Sequence, residues 1–108
     1  MQDNILHHLQ EKDNMDSQTK EVMDILQEEC AEVIQAVSKI SRFGLDNVKP
    51  GKPKTNREHL EEELGDMIAM ICILEKMGVV NQDALEIATR AKIEKLKKWS
   101  TIKNLEDI

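Results

Sequence analysis

The run TNREHLEEELGDMIAMICILEKMG, residues 55–78, decides the fold. It opens on a capping box, in which the Thr55 hydroxyl and the Glu58 carboxylate satisfy each other's backbone N–H groups at a helix start. Leu60, Leu64, Met67, Ile71 and Leu74 then recur at helical spacing, and Ile68 and Met70 widen the apolar stripe on both sides. Gly78 supplies a stop. The pattern predicts a helix from about Thr55 to Met77. From Met67 to Leu74 it carries no charge, so it is apolar nearly all round and must be covered on every side. Four short helices in one chain do not easily provide that cover. Self-association is therefore expected, as an obligate homodimer able to assemble further into a homotetramer.

Upstream, both prolines fall in Val48-Lys-Pro-Gly-Lys-Pro-Lys54, the chemistry of an exposed basic turn. Before that turn, Val22, Ile25, Leu26, Cys30, Val33, Val37 and Ile40 mark a helix from about Ser17 to Ser41. Asp16 or Ser17 can cap its start, and Gly44 suits a left-handed C-cap. Downstream, a helix starts near Asn81-Gln-Asp83 and runs to about Trp99. Lys92, Lys95, Lys97 and Lys98 crowd its end, where the macrodipole favours cations. A short helix from about Asn4 to Lys12, with Ile5, Leu6 and Leu9, completes the set. The expectation is a single all-α domain over residues 1–108, with no internal repeat.

Composition narrows the function. The chain has 108 residues, a formal net charge of −6 and only 2% aromatics. One Trp, one Phe and no Tyr leave little for a β-sandwich or for stacking single-stranded bases. The negative balance argues against a nucleic-acid polymer as partner. Cys30 and Cys72 lie in apolar helical runs and read as free core thiols of a reducing compartment. The polar N-terminus has no signal-peptide core, and Met67–Leu74 is far short of the ~20 residues that cross a bilayer. A soluble, cytoplasmic protein with no membrane partner is expected.

Carboxylates then appear where apolar residues belong. At 100° per residue, Val22, Leu26, Val33 and Ile40 cluster between about 40° and 80°, and Glu29 falls at about 20°, inside their stripe. Glu32 sits at its edge one turn on, while Glu28 belongs to the polar side. On the next long helix Glu63 lies between Met70 and Leu74, and Asp66 lies beside His59 and Ile73. A carboxylate in a core-facing stripe is costly unless paired or metal-bound. If the two helices pack antiparallel, Glu29, Glu32, Glu63 and Asp66 converge. Four oxygen donors with no Cys or His at ligand spacing select a hard cation, Mg²⁺ or Mn²⁺, rather than the Glu-x-x-His iron of di-iron bundles. Glu61 and Glu62 read as plain solvated acids.

Glu28-Glu29-Cys-Ala-Glu32 followed by Glu63-Leu-Gly-Asp66 has the form EExxE…ExxD. With Arg42-Phe-Gly44 and Glu-Glu-Leu-Gly-Asp-Met around these acids, the chain resembles the MazG-like all-α nucleoside triphosphate pyrophosphohydrolases, over residues 17 to 99. That superfamily includes dimeric dUTPases and phosphoribosyl-ATP pyrophosphatases. The resemblance implies a four-helix MazG-like bundle completed by dimerisation. It implies hydrolysis of a (d)NTP to the (d)NMP and pyrophosphate, with Mg²⁺ on Glu29, Glu32, Glu63 and Asp66. Glu28 is the candidate general base. Lys92 and Lys95 are candidates for the substrate phosphates, although Ile93 stands where the family commonly carries Asn. Lys52 and Lys54 on the proline turn are a further candidate, for closing over the triphosphate. His7 or His8 is a candidate for stacking on a base, and His59 for orienting a carboxylate. The competing expectation is a non-catalytic, metal-stabilised homodimeric interaction module, and a third is a regulatory bundle without metal.

Overall fold

A computed structural model describes residues 15–108. The expected Asn4–Lys12 helix, with His7 and His8, lies outside the described residues. Within them the chain forms α1 (Ser17–Phe43), α2 (Asn56–Lys76), α3 (Gln82–Trp99) and a final 3₁₀ turn at Leu105–Asp107, with no strand. No described helix is long and apolar enough to cross a membrane. The chain divides into two compact units, Met1–Leu74 and Glu75–Ile108.

In the first unit, α1 starts where Asp16 accepts the Thr19 N–H at 2.7 Å. This satisfies a backbone donor that the first turn leaves without a partner. Gly44 ends the helix and donates to the Ile40 carbonyl at 2.8 Å. Its φ of 90° needs glycine, but its ψ of 166° is extended and departs from the expected left-handed cap. The path of the following loop is the reason, because the Asn56 side chain holds the Gly44 carbonyl at 2.9 Å. The Asn56 and Arg57 amides bond the carbonyls of Asn47 and Leu45 at 3.1 and 2.8 Å, and Arg57 also pairs with Asp46. These ties bring the start of α2 beside the end of α1. The capping box forms as the sequence predicts, with Glu58 N–H to Thr55 Oγ1 at 3.1 Å and Thr55 N–H to Glu58 Oε1 at 3.0 Å.

Among the described residues of this unit, Val22, Ala36 and Leu74 are the buried apolar ones, and the polar Thr19 is buried too. Much apolar surface stays open. Ile34 is 69% exposed and Ile68 53%. Cys72, expected in the core, is exposed, while Cys30 is half-buried, and both are free thiols. The physical reason is the one that α2 announces: an all-apolar helix has more sides than one neighbouring helix can cover.

In the second unit, Asn81 caps α3 by accepting the Ala84 N–H at 3.0 Å. α3 contains no buried residue, and its Ile87 and Trp99 are 71% and 84% exposed. Beyond it Asn104 takes a left-handed conformation, φ 64° and ψ 28°, and turns the chain into the 3₁₀ turn that carries the buried Leu105.

Candidate metal centre

The α1–α2 pair is antiparallel. Gly44 at the end of α1 meets Asn56 at the start of α2, and further back along α1 Glu29 meets residues further forward along α2. There Glu29, Glu63 and Asp66 each offer a carboxylate oxygen, and these atoms all lie within 4.8 Å of one another. Glu29 and Glu63 are half-buried and Asp66 is exposed. This is the arrangement expected from two helices that each place an acid at the border of their apolar stripe.

Crowding shows in the electrostatics. Partial desolvation, followed by the charges of Asp66, Glu63, Glu32 and Glu28, pushes the Glu29 pKa above its ordinary value. His59 Nε2 lies 3.3 Å from Glu63 Oε1 and borders the cluster from one turn upstream. Three clustered carboxylates with a surplus of negative charge suit a hard divalent cation, whose oxygen preference matches the donor set. The residues therefore fit the group that the sequence anticipates.

The remaining expected residues fall elsewhere. Glu32 is exposed and adds to the field at Glu29, but contributes no oxygen to the group of three. Glu28 is likewise exposed and acts on Glu29 through its charge. Lys92 and Lys95 are exposed on α3, in the second unit. Lys54 is ion-paired with Glu62, so Glu62 is more than a plain solvated acid. That partner raises the Lys54 pKa, with smaller contributions from Glu58 and Asp66.

The sequence marks Lys52 and Lys54 on the proline turn but not the space they border. The end of α1, the proline turn and the start of α2 enclose a cavity of about 460 Å³. Lys39 and Lys49 line it together with Lys52 and Lys54. The basic turn was the available signal for it, but only tertiary structure brings Lys39 to the same space.

The profile of the MazG nucleotide pyrophosphohydrolase domain matches residues 17–100. Comparison with curated proteins and with solved structures gave no match.

Proposed function

Because the chain belongs to the MazG nucleotide pyrophosphohydrolase domain family, we propose that it is a Mg²⁺-dependent enzyme hydrolysing a (d)NTP to the (d)NMP and pyrophosphate. The observation that carries this reading is the meeting of Glu29, Glu63 and Asp66 oxygens within 4.8 Å across two helices. Glu32 completes the ligand set from one turn along α1. Mg²⁺, or Mn²⁺ in its place, would supply charge neutralisation at the phosphates and acidify a water.

The chain's own groups do the rest. Glu28, exposed to solvent beside the cluster, accepts the proton of the attacking water. Its position off the apolar stripe leaves it free to exchange that proton with bulk water. His59 steadies the Glu63 carboxylate at 3.3 Å. Lys92 and Lys95 offer cations to the phosphate oxygens.

The working unit in this proposal is a homodimer of single-domain chains, with a tetramer as further assembly. The large exposed side chains Ile34, Ile68, Ile87 and Trp99 support it, since burying them between copies gains what one chain leaves in water. Two free thiols and the lack of a spanning helix among the described residues are compatible with a cytoplasmic setting.

The test is pyrophosphate release from a panel of dNTPs and NTPs, with and without Mg²⁺ or Mn²⁺. Metal-dependent release is expected from the native chain and not from Asp66→Asn. Turnover on no nucleotide would replace the proposal with the non-catalytic interaction module, and full activity in Asp66→Asn would remove the ligand assignment.

A further inference from the structure

In a chain of net charge −6, four lysines surround one cavity. Lys39 comes from α1, Lys49, Lys52 and Lys54 from the proline turn, and the lining carries a single acid, Glu62. Glu62 is taken by Lys54. Lys39, Lys49 and Lys52 have no carboxylate within ion-pair distance among the described residues. Three cations gathered without a counter-ion repel one another, and in water the chain would lower its energy by spreading them. Phe43, Val48, Pro50 and Pro53 form the apolar part of the wall. Such a wall displaces water and strengthens the field of the ammonium groups on any anion that enters.

The cavity adjoins the carboxylate cluster. His59 lines it and also contacts Glu63. Glu62, on its wall, is the immediate neighbour of Glu63. Lys54 on its rim lies within the field of Asp66. A ligand seated here therefore has cations around it and, at His59, a wall residue that touches the candidate metal ligand Glu63. A single phosphate uses only one end of such a site. An oligophosphate chain uses both.

We propose that this cavity holds the oligophosphate tail of the substrate, with Lys39, Lys49 and Lys52 binding its phosphate oxygens while the cluster of Glu29, Glu63 and Asp66 faces the other end. The assignment rests on the pyrophosphohydrolase reading, and it adds lysines of the α1–α2 link to the proposed phosphate contacts. Lysine suits the task because its ammonium group is a compact charge with three donors, able to follow a flexible phosphate chain.

Inorganic tripolyphosphate is the probe, titrated calorimetrically into the full chain in EDTA, so that no divalent metal contributes. The variants are Lys49→Ala/Lys52→Ala, the charge-preserving Lys49→Arg/Lys52→Arg, and the control pair Lys98→Ala/Lys103→Ala. All four positions are exposed, and unchanged melting curves would verify the fold. Each lost charge-assisted contact weakens binding by about tenfold or more. The alanine pair at 49 and 52 removes two contacts and is expected to lose about a hundredfold, the arginine pair to recover most of it, and the pair at 98 and 103 to change little. In turnover assays the same alanine pair should raise KM by a similar factor and leave kcat nearly unchanged. Native-strength tripolyphosphate binding or an unmoved KM in Lys49→Ala/Lys52→Ala would overturn the proposal while leaving the enzymatic reading intact. Lysine-dependent tripolyphosphate binding in a chain that hydrolyses no nucleotide would instead overturn the enzymatic reading, and with it the identification of the tail as substrate.

Discussion

Replacing Glu29 with glutamine should act in opposite directions without and with a divalent cation. Glutamine keeps the shape of the side chain and removes one negative charge. In EDTA the native carboxylate is partly desolvated and faces Asp66 and Glu63 across no more than 4.8 Å, which raises its pKa. A folded state that disfavours its own ionised group is stabilised when that charge is removed, so Glu29→Gln should melt higher than the native chain. With Mg²⁺ the order reverses. At a free concentration one hundred times Kd, the native chain gains about 2.7 kcal/mol by mass action. At about 4–8 °C per kcal/mol for a domain of this size, its melting temperature rises by roughly 11–22 °C. If losing one ligand weakens the site a hundredfold, the variant at the same concentration gains only about 0.4 kcal/mol, a shift of roughly 2–3 °C. Calorimetric or circular-dichroism melts at one protomer concentration read both effects. A variant that melts lower in EDTA, or that keeps the full Mg²⁺ shift, would refute the claim that repulsion among these acids is what a cation relieves.

Other outcomes follow from features already described. Asp16, Glu58 and Glu62 have pKa values lowered by their cap hydrogen bonds or, for Glu62, by Lys54, so their contribution is present at neutral pH and lost as pH falls through those depressed values. Glu29 has the opposite sign, because desolvation and its acidic neighbours raise its pKa, so its protonation adds stability as pH falls. Metal-free melting temperature should therefore rise slightly on mild acidification before it collapses, and Glu29→Gln should abolish the rise but keep the collapse. Thr55→Ala removes one half of the capping box and should cost about 1 kcal/mol in urea unfolding. Leu74→Ala opens a space at a site only 3% exposed and should cost about 2–5 kcal/mol. Ile68→Glu should drive sedimentation toward a monomer, and an unchanged mass would remove Ile68 from any interface between copies.

What the sequence made legible was what repeats along a helix. Thr55 and Glu58 lie within one turn, so their cap depends on no distant residue. Glu29 and Glu63 stood out because each interrupts an apolar stripe, and antiparallel packing joined them. Glu32, one turn on at the edge of the stripe, keeps its oxygen outside the group of three. Whether successive turns of α1 approach α2 depends on the crossing of the two axes, which periodicity does not encode. The extended ψ of Gly44 belongs to the path of a loop held by Asn56. Leu105 closes a single 3₁₀ turn, too short to show a period. The lysine cavity was hidden for a related reason, because Lys39 reads as the end of an amphipathic helix until the proline turn folds back over it.

The ties of Leu45 with Arg57 and of Asn47 with Asn56 carry a consequence for assembly in time. They close a hairpin whose outermost cluster residues, Glu29 and Asp66, are fewer than forty positions apart along the chain. Contacts this local belong to the fast end of folding, where helical hairpins form in microseconds to milliseconds. Association between chains is slower and depends on concentration. If the chain binds a cation and self-associates as proposed, the carboxylates are gathered while it is still alone, and a newly made protomer meets its cation before a second copy of itself.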